Sequence, residues 1–246
     1  MCTVTYIPTK NGFCFASNRD EKASRDTIHP SVHVNNGKEL IFPKDKVAGG
    51  TWVAADGKNR IACLLNGAFE SHEIKRPYRK SRGLILIESF NYNDAFAFSE
   101  NIDLDNIEPF TLLLLNFDDL NSIKFHEFRW DGKVKHLKTL LTDEMQIWSS
   151  STLYNKEVRE KRSKTFFDFF KESSTKKDSP KNQLIFHKNK HGLNENEDLI
   201  MKGNGDLKTI SITQFIINEK NQDLNYFDLT SNKETVLNLL NIKQYA

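Results

Sequence analysis

The stretch Phe110-Thr111-Leu112-Leu113-Leu114-Leu115 constrains this chain more than any other. It is a near-continuous apolar run of strand length, fenced by Pro109 and Asn116. A strand with one wet face alternates apolar and polar residues, whereas an unbroken run needs cover on both faces. The chain must therefore place layers on either side of at least one strand. The run also falls far short of the roughly 20 apolar residues that span a bilayer.

The surrounding punctuation is that of hairpins. Residues 2–7 alternate through Cys2, Val4 and Tyr6, and residues 12–17 form a second run after the turn Lys10-Asn11-Gly12. A polar loop is expected from Asn18 to His29, a turn at Asn35-Asn36-Gly37, a short strand over 39–42 and a backbone break at Gly49-Gly50. Residues 51–55 and 60–65 flank the turn Asp56-Gly57. Residues 81–90 read as a helix, with 94–100 extending it or forming a second. Residues 123–130, 133–140 and 146–149 read as strands, the first two joined at Asp131-Gly132. The clearest helix covers 155–172, with Val158, Phe166, Phe169 and Phe170 on an apolar face. A polar linker over 173–179 leads to a helix beginning near Pro180, since proline suits a first turn. Gly203-Asn204-Gly205 reads as a turn, 209–217 and 223–229 as a strand pair, and 233–240 as a short terminal helix. Strands and helices follow one another without strict alternation. The expected class is a layered α+β fold in one domain over residues 1–246.

The chain has 246 residues, 35 basic against 33 acidic, for a net charge of +2. That length buries a sizeable core, and the balance excludes a polybasic nucleic-acid binder. Three cysteines (Cys2, Cys14 and Cys63) are too few for a disulfide scaffold. The first residues carry no signal-peptide pattern, so a cytoplasmic setting is expected. The neutrality is an average: residues 156–190 hold nine lysines, two arginines and five acidic residues, a net of +6. A second basic cluster holds Lys75, Arg76, Arg79, Lys80 and Arg82. Solvated faces explain both clusters. Alternatively, Arg82 at a helix start meets an anion. The i,i+4 pairs His29/His33 and His187/His191 have no completing ligands at metal spacing, so no metal site is expected. The phosphate-cradling glycine motifs are absent.

Cys2 carries the chemistry of greatest interest. Once Met1 is removed, it bears a thiol with an ordinary pKa of about 8.5 and an α-amine of roughly 7.7–8.0. One residue then supplies a nucleophile and a base suited to neutral pH. Asn18-Arg19-Asp20-Glu21 follow the second strand run. Arginine beside a thiol favours thiolate, and an aspartate orients an amine as the third member of a triad orients its base. Taken alone, these residues also suit a buried small side chain and a solvated turn.

In order along the chain stand Met1-Cys2, Asn18-Arg19-Asp20-Glu21, Gly49-Gly50-Thr51-Trp52, Leu65-Asn66, Ser81-Arg82-Gly83, Trp148-Ser149-Ser150-Ser151-Thr152-Leu153 and Thr209-Ile210-Ser211-Ile212. This series resembles the NRDE family, which includes the transport and Golgi organisation protein two relatives. That family is similar to the N-terminal-nucleophile (Ntn) hydrolases of the penicillin acylase and bile-salt hydrolase branch. The resemblance implies a four-layer αββα sandwich in which Cys2 attacks an amide or thioester carbonyl. It makes Asp20 the orienting carboxylate and Asn66 a donor to the oxyanion, with Asn18 and Arg19 in the same constellation. Glu21, Gly50, Thr51, Trp52, Arg82 and Ser151 are the expected substrate-binding residues. Ser17 stands where that branch has an arginine, and Ser151 where it has an asparagine. No cofactor is required. Relatives are implicated in haem trafficking and in lipid or acyl-CoA homeostasis, which implies a rival reading: a carrier whose pocket holds haem or an acyl chain. The partner expected either way is a small molecule, not a nucleic acid.

Overall fold

A computed structural model describes residues 3–172, 179–202 and 206–241. The chain divides into two compact units, each discontinuous in sequence: Met1–Arg25 with Asp143–Leu237, and Asp26–Thr142 with Asn238–Ala246. Among the described residues no helix is long and apolar enough to cross a membrane.

The first unit opens with a hairpin of β1 (Thr3–Thr9) and β2 (Gly12–Lys22). The second unit begins at β3 (Thr27–Asn35) and continues through β4 (Lys38–Asp45), β5 (Val53–Ala55) and β6 (Arg60–Asn66). Helices α1 (Arg82–Ser89) and α2 (Ala95–Asn101) follow, then β7 (Phe110–Asn116), β8 (Lys124–Trp130) and β9 (Lys135–Thr139). The chain returns to the first unit with β10 (Gln146–Ser149), α3 (Lys156–Glu172), α4 (Ser179–Lys188), β11 (Leu207–Asn218), β12 (Gln222–Asp228) and β13 (Lys233–Asn238). The sheet of the first unit runs in the order β10-β1-β2-β11-β12-β13, and that of the second β3-β4-β5-β6-β7-β8-β9. From β10 to β12 in the first sheet and from β3 to β9 in the second, neighbouring strands pair antiparallel.

The apolar run 110–115 is interior strand β7, between β6 and β8 and buried from Phe110 to Leu115. Phe110, Leu112 and Leu114 join Ile85, Leu86, Phe98 and Phe128 in a core beneath α1 and α2. Asp94 starts α2 by accepting the Ala97 N–H at 2.8 Å. At the end of α1, the Arg60 guanidinium donates to the carbonyls of Ser89, Phe90 and Tyr92. It thereby occupies acceptors that the helix leaves open.

In the first unit, Phe166 and Phe170 of α3 meet Phe186 of α4 and Ile7 of β1. The apolar face expected on the helix over 155–172 is therefore core. Much of its charge is spent in i,i+4 pairs, Lys156–Glu160, Lys161–Glu157 and Lys164–Asp168.

Three expectations change. Residues 18–22 are strand rather than loop, because β2 lies between β1 and β11 and its polar side chains find buried partners. Within the expected loop to His29, β3 already begins at Thr27. Residues 233–238 are strand rather than helix, since the edge of β12 offers ladder partners that a short isolated helix lacks. The linker expected over 173–178 and the turn at 203–205 lie outside the described residues.

Candidate active site

The first unit holds Asn18, Arg19, Asp20, Glu21 and Ser151. Cys2 lies outside the described residues; its neighbour Thr3 begins β1 and pairs with Asn18. Strand alternation sends Asn18 and Asp20 to the face covered by α3 and α4, and Ser17 and Arg19 to the other. All four are buried.

Asn18 anchors α4. Its Nδ2 donates to the carbonyls of Leu199 at 2.8 Å and His187 at 3.3 Å. Its Oδ1 therefore faces His187 Nδ1 at 2.6 Å, which assigns the ring proton to Nδ1. His187 Nε2 then accepts from Thr5 Oγ1 at 2.7 Å. Complete burial, with Arg162 and His191 adding like charge, pushes the His187 pKa down to about 3, so the ring is neutral. His191 turns Nε2 to the Phe186 carbonyl, and the two histidines share no ligand geometry.

Asp20 is held at both oxygens. Tyr154 donates its phenol to Oδ2 at 2.8 Å, and Thr209 donates to Oδ1 at 2.5 Å. A β-bulge between Thr209 and Ser211 lets Thr209 face Asp20 while Ser211 stands opposite Arg19. On that other face the hydroxyls of Ser17, Ser211 and Thr213 are buried without a hydrogen-bond partner. Glu21 turns outward and pairs with Arg25 at 3.3 Å. Ser151 is buried just beyond β10.

The second unit holds Gly50, Thr51, Trp52, Asn66 and Arg82. Asn66 ends β6 opposite Phe110. The preceding carbonyl, of Pro109, accepts from Gly67 N–H at 3.1 Å and Arg82 Nη1 at 3.3 Å. Arg82 also pairs with Glu108 at 3.2 Å, and His72 Nε2 lies 3.4 Å from the same carboxylate oxygen. Asn66 and Arg82 are thus brought to one end of β7, with the Arg82 charge matched by Glu108. Thr51 turns its hydroxyl to the backbone carbonyls of Pro43 and Val53, and Trp52 is buried. Gly50 and Gly83 touch backbone to backbone: a Cβ on Gly83 would lie 2.6 Å from the Thr51 oxygen.

Sequence reading gives no site role to Tyr154, Arg162, His72 or Glu108, nor to His187 and Thr209, which it marks only as one of an i,i+4 pair and as part of a family motif. Their partners lie far along the chain, Asn18 and His187 being 169 residues apart, so no local spacing marks them. Among the described residues no group of three or more His, Cys, Asp or Glu side chains could hold a metal ion.

Solved structures share this architecture. A mutant of the conjugated bile acid hydrolase from Clostridium perfringens superposes with a TM-score of 0.58 at 10% identity, over 97% of this chain and 92% of that one. A Caenorhabditis elegans N-acylethanolamine-hydrolyzing acid amidase ortholog gives 0.53 at 12% identity, over 87% and 92%. The fold is therefore that of the Ntn hydrolases, an α+β sandwich class. The chain belongs to the Transport and Golgi organisation 2 family, whose model matches residues 1–238. That is the family anticipated from Cys2 and Asn18-Arg19-Asp20-Glu21. No curated protein matches the chain by sequence.

Proposed function

We propose that this protein is a cysteine-nucleophile acyl hydrolase or acyltransferase acting on amide or thioester bonds of small molecules. The observation that carries the reading is Asp20. It is a buried carboxylate, fixed at both oxygens, on the strand paired with the one that follows Cys2. Burying a charged carboxylate costs several kcal/mol unless something compensates it, and the α-ammonium formed when the Cys2 amine takes the thiol proton is one such group.

In this reading Met1 is removed, the Cys2 amine takes the thiol proton, and sulfur attacks the carbonyl. A donor to the oxyanion in such chemistry is worth roughly 3–4 kcal/mol in transition-state stabilisation. The amine then protonates the leaving group, and water or a second acceptor resolves the acyl-enzyme. Asp20 orients the amine, and Ser151 of the same unit borders the substrate. The fold likeness to a bile acid hydrolase and an N-acylethanolamine amidase supports an acyl substrate. Intact-mass measurement comes first, then alkylation of Cys2 by iodoacetamide and amine release from a panel of N-acyl compounds. A mature protein that retains Met1 sinks the mechanism.

A second reading, a haem or acyl-chain carrier, is favoured by a cavity of about 640 Å³ in the first unit. Ile7, Phe13, Met145, Phe170 and Ile216 line it, and Lys10 and Lys220 supply cationic groups for propionates. Its volume suits a small-molecule site. Haemin titration followed by difference spectroscopy tests it; absence of a saturable shift removes haem.

A further inference from the structure

Arg162 of α3 is fully buried, an unusual place for a guanidinium. Among the described residues no carboxylate pairs with it. Its Nε donates to the Glu197 carbonyl at 2.7 Å and Nη2 to the Asp198 carbonyl at 2.6 Å. Nη1 donates to Thr3 Oγ1 at 2.6 Å, and the guanidinium carbon lies 3.6 Å from the centre of the Tyr154 ring. Tyr154 in turn donates to Asp20. One cation therefore touches the residue next to Cys2 and stacks on the phenol that holds the orienting carboxylate. The two backbone carbonyls take Nε and Nη2, and Thr3 Oγ1 on β1 is the acceptor for Nη1.

Resting on the hydrolase reading above, we propose that Arg162 and Tyr154 are positioning residues for the N-terminal nucleophile. Arg162 ties the start of β1 to α3, and Tyr154 fixes the rotamer of Asp20. Together they set where the Cys2 amine and the carboxylate meet. The pair also shapes the local field. Arg162 adds positive charge beside Thr3, and the phenol disperses charge from Asp20. The other charged or titratable groups nearby include Arg19 and Asp20 on β2, His187 on α4, His191, Asp198, and Glu197 with its partner Lys161. His187 is neutral, and the Asp198 carboxylate accepts the His191 and Leu199 amides. Losing Arg162 or the Tyr154 hydroxyl leaves more negative potential at residue 2, which raises the pH at which its thiolate forms.

The test measures the pH profile of iodoacetamide alkylation at Cys2 in the full chain, read by peptide mass spectrometry. Buried Cys14 and Cys63 report on folding in the same digest. Arg162→Met is expected to raise the midpoint by about one pH unit. Tyr154→Phe is expected to raise it by about half a unit while remaining folded, which covers the case in which Arg162→Met fails to fold. A mature, reactive wild type with an unmoved Tyr154→Phe profile overturns this inference alone. Retained Met1, or a Cys2 inert at every pH, overturns the hydrolase reading and the positioning role with it.

Discussion

Replacing Asn18 with alanine tests whether this residue is a structural clamp. The substitution removes the contacts from Nδ2 to the Leu199 and His187 carbonyls at 2.8 and 3.3 Å, and the Oδ1 acceptor of His187 Nδ1 at 2.6 Å. His187 and Asn18 are each 0% exposed, so water cannot replace the lost partners. Each buried polar group left unmade costs about 1–3 kcal/mol. The imidazole N–H and the Leu199 carbonyl are the two most affected, and a small cavity adds to them. The expected loss is about 3–5 kcal/mol, or a fall in Tm of roughly 10–15 °C for a chain of this size. Urea unfolding followed by far-ultraviolet circular dichroism reads it as a lower midpoint at unchanged slope. A companion variant, Asn18→Asp, keeps the shape and the acceptor but sets oxygen against two carbonyls, and is expected to cost as much. A loss below about 1 kcal/mol for Asn18→Ala would refute the claim that these groups depend on Asn18.

Further outcomes follow from the same structure. His187 has its pKa lowered from 6.5 to about 3, so the unfolded chain binds its proton more readily between those values. Its contribution is present in full above pH 6.5 and declines as pH falls towards 3, by up to about 1.4 kcal/mol per unit; a His187→Gln variant whose stability falls as steeply over that window would exclude His187 as the cause. Gly83→Ala places a methyl 2.6 Å from the Thr51 oxygen, and the expected loss is about 2 kcal/mol or more in thermal unfolding; a wild-type melting curve would show that the backbones part freely. The Thr213 hydroxyl is buried without a partner, so Thr213→Val should leave Tm unchanged or raise it. A fall of several degrees there would reveal a bond the hydroxyl makes.

Much of the architecture is legible in local pattern. The near-continuous apolar run 110–115 demands a doubly covered strand, and β7 is one. The turn glycines and alternating runs mark the hairpins, and the aromatic stripe on α3 marks its buried face. Residues 18–21 mislead because polar side chains in sequence suggest water. In the fold, a histidine, a tyrosine and a threonine from distant segments satisfy Asn18 and Asp20. The terminal segment 233–238 misleads for a related reason: an available strand edge outweighs a weak helical preference.

The sequence by itself determined the alternation of strands and helices, the α+β class, and the order of motifs that marks the family. It did so because periodicity, turn residues and short motifs are local properties. Only the tertiary structure decided that Asn18 clamps α4, that a bulge turns Thr209 onto Asp20, and that Arg162 reaches from α3 to Thr3. Each of these depends on a buried polar group finding its partner across more than 150 residues of chain. Burial makes such bonds costly to lose, and separation along the chain hides them from any local reading.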